Sequence, residues 1–252
     1  MKIVAIIQAR MGSSRLPRKV LSDIAGRAMI DRIIERVAAA SLINEIVVAT
    51  TLSKEDDILA EHVQAGGVAG VFRGSMDDVL SRYYECARLH GATHIVRITA
   101  DDPLKDPQII DRAVRLLLDD ASLAYCSNTI TPTFPEGLDV EAFTFAALET
   151  AHHEAQLPSE REHVTPYIWK NSALFKAMNF THDIELQDWR WTVDKPQDLE
   201  FMQHVYTQFQ DQPLVPYQAV IKWLESNPHI RLLNADTIRN EGYFKSLKSE
   251  EK

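Results

Sequence analysis

Only two cysteines occur in 252 residues, Cys86 and Cys126, in neither a Cys-x-x-Cys nor a Cys/His spacing. A disulfide framework and a structural zinc site are therefore not expected. No apolar run approaches the length of a membrane span, and the opening Met1 to Gln8 turns polar too soon for a signal peptide. The expectation is a soluble, cytoplasmic chain with no membrane partner. Positive charge is in deficit, 27 Lys and Arg against 36 Asp and Glu, for a formal net charge of −9. A surface of that sign repels phosphodiester backbones, so no nucleic-acid partner is expected either. There is no internal repeat and no low-complexity linker. No Ser-His-Asp or Cys-His nucleophile pattern occurs, and the histidines have no metal-ligand spacing. With 45% hydrophobic and 25% charged residues, the chain has the composition of an ordinary globular protein, long enough for a sizeable core.

What is present is a rhythm. Short apolar runs (Ile3–Ile7, Glu45–Thr50, Val68–Phe72, His94–Ile98, Leu123–Ser127) alternate with stretches of helical periodicity. The latter are Ala28–Ala40, Lys54–Gln64, Asp77–His90 and Pro107–Leu118. This alternation predicts an α/β fold with a doubly wound, mostly parallel twisted sheet and helices on both faces. After residue 128 the rhythm changes. A turn-rich loop leads to an extended Leu138–Phe143, helices over 144–153 and 158–170, and a strand over 173–180. Helices at 196–209 and 217–226 and a frayed tail from Lys245 complete the expectation: one domain, 1–252, with a small inserted lobe.

One segment reverses the charge. No acidic residue occurs between Lys2 and Asp23, whereas Arg10, Arg15, Arg18 and Lys19 crowd around Gly12, Ser13 and Ser14. The loop follows the first strand, where open α/β sheets bind ligands. Its glycine and serines let phosphate oxygens approach backbone N–H groups, and its cations can grip them. It is neither a P-loop nor a Gly-x-Gly-x-x-Gly turn, and the plain alternative is a solvated basic surface. The run Ile6-Ile7-Gln8-Ala9-Arg10-Met11-Gly12-Ser13-Ser14-Arg15-Leu16-Pro17-Arg18-Lys19-Val20-Leu21 resembles the opening signature of the cytidylyltransferases that activate acidic sugars. Within them it is most similar to the branch named for spore coat polysaccharide biosynthesis. The resemblance implies a Rossmann-like nucleotidyltransferase fold and a loop around the CTP triphosphate. Arg10 and Lys19 would be the main phosphate ligands, with Ala9, Gly12, Ser13, Ser14 and Arg15 beside them. It also implies a nucleotide-binding half (1–128), a substrate and dimerisation lobe (129–188), a closing metal-site strand with C-terminal helices (189–252), and a homodimer.

Two strand ends carry acids. Thr99-Ala-Asp101-Asp102-Pro and Val193-Asp194-Lys-Pro-Gln-Asp198 each put a carboxylate where a strand stops. Helix capping is the ordinary explanation, although Asp106 before Pro107 already fills that role for the first. By resemblance Asp101 and Asp194 are the Mg²⁺ ligands, with Asp102 as an additional donor. Mg²⁺ suits one or two carboxylates completed by phosphate oxygens and water.

Further residues are candidates for base and sugar recognition. Arg73, at a strand end, can reach a cytosine carbonyl or a phosphate, and Asp77 follows near a helix N-terminus. In Glu136-Gly-Leu-Asp139-Val-Glu141, positions 139 and 141 share one face if the stretch is a strand, which suits sugar hydroxyls. Arg161 and His163 fall within one or two helical turns, where Arg161 can pair with a substrate carboxylate. There the alternative is a capped helix start, Ser159 with Glu162. Trp189 and Trp191 read as core. The expected activity is transfer of CMP from CTP to an acidic, nonulosonate-like sugar, with release of pyrophosphate, for a surface polysaccharide. The rivals are a nucleotide-sugar-dependent glycosyltransferase and a catalytically silent nucleotide-binding protein.

Overall fold

The computed structural model describes residues 1–250. The amino-terminal elements are β1 (Ile3–Gln8), a two-stranded hairpin of β2 (Asp23–Ile24) and β3 (Arg27–Ala28), α1 (Met29–Ala38) and β4 (Glu45–Thr51). They are followed by α2 (Asp57–Gly66), β5 (Gly70–Gly74), α3 (Val79–Leu89), β6 (His94–Thr99), α4 (Pro107–Asp119) and β7 (Leu123–Ser127). Beyond these lie β8 (Glu141–Thr144), α5 (Phe145–Glu154), α6 (Pro158–His163), α7 (Pro166–Lys170) and β9 (Lys176–Asn179). Four helices close the chain: α8 (Pro196–Gln208), α9 (Tyr217–Ser226), α10 (Pro228–Arg231) and α11 (Glu241–Glu250).

Seven strands form one sheet in the order β5-β4-β1-β6-β8-β7-β9. β1 is central and pairs in parallel with β4 and β6. Its uninterrupted apolar sequence follows from burial on both faces. Ile3, Ala5 and Ile7 enter one core together with α1, α2, α4, α8 and α9. Val4 and Ile6 enter the other, against α3, α5 and α7. β8 runs antiparallel to both β6 and β7, the one departure from parallel pairing in this sheet. Asp106 caps α4 as expected, its Oδ1 accepting the Gln108 N–H at 2.9 Å.

Several local expectations are corrected. The helix expected over 158–170 is two short helices. Pro166 lacks the N–H that a continuous helix would need, and Val164 turns into the left-handed region at φ 72°. Ser159 is not its cap, because Glu160 reaches back to the Leu157 N–H at 3.3 Å instead. The extended stretch at 138–143 begins as a strand only at Glu141, so positions 139 and 141 do not share a strand face. Trp189 to Asp194 is not a sheet strand; its only ladder contact among the described residues is a bridge between Glu136 and Arg190. The tail expected to fray from Lys245 is helical through Glu250, and positions 251 and 252 lie outside the described residues. No helix among the described residues is long and apolar enough to cross a membrane.

Candidate active site

The loop leaving β1 is folded on itself. The Met11 carbonyl accepts the Ser13 N–H at 3.0 Å and the Arg18 N–H at 3.1 Å, while the Met11 N–H donates to Asp56 at 2.7 Å. With Met11 buried, the charged positions are left at the carboxyl end of the sheet. The loop then enters a single 3₁₀ turn at Lys19–Leu21, which turns Lys19 inward. Lys19 Nζ donates to Asp101 Oδ2 at 3.2 Å, Asp194 Oδ1 at 2.8 Å and the Val193 carbonyl at 2.8 Å. Burial works against that charge, but the two carboxylates outweigh it and the lysine pKa rises. Burial likewise opposes ionisation of Asp194. Lys19, Arg15 and Arg190 overcome it and hold the carboxyl down to about 2. Arg15 spans Asp194 and Glu241, both at 2.9 Å. The backbone fixes this meeting: the Asp101 carbonyl accepts the Val193 N–H at 2.7 Å, joining the turn after β6 to the segment before α8.

A cavity of about 610 Å³ opens beside this cluster. Arg15, Asp101 and Asp194 line it, together with Arg97, Glu141 and Trp169. Besides Asp101 and Asp194, three of the acids that line it are each matched to an arginine. Glu136 accepts from Arg190 at 2.7 Å, Asp139 pairs with Arg239, and Glu141 pairs with Arg97. Burial pushes the Glu136 carboxyl up to about 7 against the pull of Arg190. Burial also raises Asp139. In Glu141 burial is outweighed by Arg97 and by the hydroxyls of Thr165 and Tyr125, so its pKa falls. For His163 burial comes first and Arg97 second, and together they lower it to about 4.

The structure thus brings together Arg15, Lys19, Asp101, Asp194, Glu136, Asp139, Glu141 and His163. Ala9 is buried beneath the loop, whereas Arg10, Gly12 and Ser14 are exposed on it. Ser13 accepts the Leu16 N–H at 3.3 Å. Arg73 stands apart from this group. It does not line the cavity, because its guanidinium donates to the Thr51 carbonyl at 2.8 Å, the Ser53 carbonyl at 2.7 Å and Asp57 at 2.6 Å. So does Arg161. It donates to Asp78 at 2.5 Å and to the His152 carbonyl at 2.7 Å, tying α6 to α3 away from the cavity. Asp77 is exposed, and Asp78 caps α3 in its place. Asp102 is buried and already matched to Lys105 at 2.8 Å and Thr99 at 2.7 Å, so it has little left to offer a cation. Sequence reasoning missed Arg97, Arg190 and Arg239. A charge inside an apolar strand, as in Ile95-Val-Arg97-Ile98, was the available signal for the first.

Among the described residues no group of three or more His, Cys, Asp and Glu side chains forms a metal cage. Two carboxylates converging on one cation are nevertheless the donor set that Mg²⁺ takes when phosphate oxygens complete its shell.

A mostly parallel sheet of this order, with a cationic loop after the central strand and two aspartates meeting on the lysine of that loop, defines a nucleotidyltransferase of Rossmann-like fold. The chain belongs to the cytidylyltransferase family, whose model matches residues 4–228. It is 38% identical to an uncharacterized protein of Methanocaldococcus jannaschii over 245 residues, 96% of this chain and 98% of that one. It is 31% identical to the spore coat polysaccharide biosynthesis protein SpsF of Bacillus subtilis over 234 residues, 90% and 95% of the two chains. The 3-deoxy-manno-octulosonate cytidylyltransferase of Geobacter metallireducens matches about half of each chain (49% and 47%), at 40% identity over 124 residues. Among solved structures, a cytidylyltransferase from Leptospira borgpetersenii superposes with a TM-score of 0.88 at 33% identity, covering 95% of this chain and all of that one.

Proposed function

We propose that this enzyme transfers CMP from CTP to a sugar acid, releasing pyrophosphate, in the synthesis of a surface polysaccharide. The observation that carries the reading is the convergence of Asp101 and Asp194 on Lys19, from positions 82 and 175 residues away in the chain, at the root of the cationic loop. Arg10, exposed on that loop, makes no hydrogen bond or ion pair among the described residues and is available to phosphate oxygens. Gly12, Ser13 and Ser14 can bring backbone and hydroxyl donors to the same oxygens. The cytidine would lie over the carboxyl ends of β1, β4 and β5. The cavity beside β6 and β8 would take the sugar.

In the reaction the sugar hydroxyl attacks the α-phosphorus in line. A new oxygen–phosphorus bond forms, the bond to the β-phosphate oxygen breaks, and the hydroxyl proton is lost. Positioning and charge neutralisation supply most of the catalysis. Arg10, Arg15 and Lys19 would offset the charge on the departing pyrophosphate. Asp101 and Asp194 would hold Mg²⁺, which when bound supplies charge neutralisation at the phosphates. The Glu136–Arg190 and Glu141–Arg97 pairs present fixed, oriented polar groups to sugar hydroxyls.

The test is pyrophosphate release from CTP and Mg²⁺ with a panel of sugar acids. Asp101→Asn and Asp194→Asn should each lower kcat/KM about a hundredfold or more while the protein stays folded. Absence of release with every sugar, or full activity in both variants, would count against the reading.

A further inference from the structure

The match to the family model stops at residue 228, but the cavity wall continues beyond it. Ile238 to Phe244 contributes an unbroken run of lining residues. Polar groups hold this stretch in place. Arg239 donates to the Phe134 carbonyl at 3.0 Å and pairs with Asp139, the Asn240 N–H donates to Glu136 at 3.1 Å, and Glu241 takes Arg15 at 2.9 Å. Farther along α11, Ser246 lies between His163 at 3.0 Å and Glu162 at 2.6 Å. The wall is therefore fixed by the acids and the cation that surround the site.

Three polar atoms around this wall are unmatched. Tyr243 Oη, Arg239 Nε and Arg97 Nε are shielded from solvent and have no hydrogen-bond partner among the described residues. Buried donors are rarely left unpaired, because each one costs stability. The Tyr243 ring already has neighbours, edge-on to His163 at 5.1 Å and to Trp169 at 6.2 Å, so only its hydroxyl is unaccounted for. All three atoms can donate, so each calls for an oxygen acceptor. Arg15 lines the same cavity and pairs with Glu241 of the wall at 2.9 Å, so an acceptor held there lies next to the phosphate-gripping cation.

Resting on the transfer reaction proposed above, we infer that Ile238–Phe244 is the acceptor-reading wall, with Arg239 and Tyr243 as specificity-determining residues that take the carboxylate and a neighbouring hydroxyl of a sugar acid. Because the wall lies outside the segment matched by the family model, acceptor choice can differ between branches that share the nucleotide half.

The experiment uses full-length enzyme, CTP, MgCl₂ and a panel of 2-keto-3-deoxy sugar acids of differing chain length. Pyrophosphate release is the readout, and CTP affinity is measured separately by calorimetry. Tyr243→Phe removes only a hydroxyl, and Arg239→Lys keeps the charge facing Asp139 while removing the fork. Each should raise the KM for the acceptor about tenfold, the worth of one hydrogen bond to a charged group. The KM for CTP and the melting temperature should stay near the wild-type values. Unchanged acceptor KM in both variants, or equal losses for both substrates, would overturn the inference. So would a wild-type enzyme that binds CTP yet turns over no sugar acid of the panel. A wild-type enzyme that does not bind CTP would instead remove the transfer reading itself, and the wall with it.

Discussion

Glu136 shows how one residue's surroundings become measurable. Its carboxyl is buried beside Arg190, and burial raises its pKa to about 7. The sign follows from linkage. Below the ordinary carboxylate range both folded and unfolded chains hold the proton, and burial costs nothing. As pH rises from the ordinary carboxylate range to about 7 the unfolded chain ionises while the folded one still holds the proton, so the folded state loses ground. Glu136→Gln should therefore stabilise the protein more at pH 8 than at pH 4, by about 2 kcal/mol. Urea titrations at the two pH values would check this, and an equal effect at both would contradict it. Arg190 keeps Asp194 at 3.0 Å and Asp198 at 3.0 Å, so the substitution does not strand its charge. None of this was legible in the sequence. Glu136 was recognisable as a polar residue in a turn-rich loop, but its burial and its arginine are set by chain that returns 54 positions later.

Among the elements, the strands of the first half were legible because each is an apolar run bounded by turn residues, and burial on both faces requires that pattern. β8 was read as extended but not placed. Its insertion between β6 and β7 is decided by cross-strand partners, Glu141 opposite Arg97 on one side and Ser127 on the other. Local pattern cannot reveal such partners. The loop before β8 carries a further constraint. Gly137 adopts φ 105°, and a Cβ built there would lie 2.7 Å from the backbone carbonyl of Trp191. Both the dihedral and the close approach demand glycine. Gly137→Ala should cost about 3 kcal/mol or more, since backbone rather than a flexible side chain must move. It should also loosen the Glu136–Arg190 bridge and so lower activity more than stability alone explains. Thermal unfolding together with pyrophosphate release at a temperature well below the melting point separates the two effects. A variant with wild-type stability would refute the argument.

For the molecule as a whole, the central fact is a cation shared across the fold. The sequence showed a basic loop in an acidic chain and two aspartates at strand ends, but not their meeting, which is a product of topology. The turn after β6 and the segment before α8 are joined by backbone hydrogen bonding between Asp101 and Val193, and Lys19 closes the triangle. Removing Lys19 should therefore act at long range. In Lys19→Met, Asp101 loses its ion pair while Asp194 keeps Arg15 and Arg190. Two carboxylates are left facing each other with one ammonium fewer, which should cost about 3 kcal/mol, as breaking a largely buried pair does. The same vacancy makes the pair a better site for a divalent ion. Anything that binds only the folded state raises its stability by mass action. Millimolar MgCl₂ should therefore raise the melting temperature of Lys19→Met by about 5 °C, and that of the wild type by clearly less. NaCl at matched ionic strength serves as the control for screening. If MgCl₂ moves both proteins equally, or moves neither, Asp101 and Asp194 are held together for a structural reason and do not form the ion site of this enzyme.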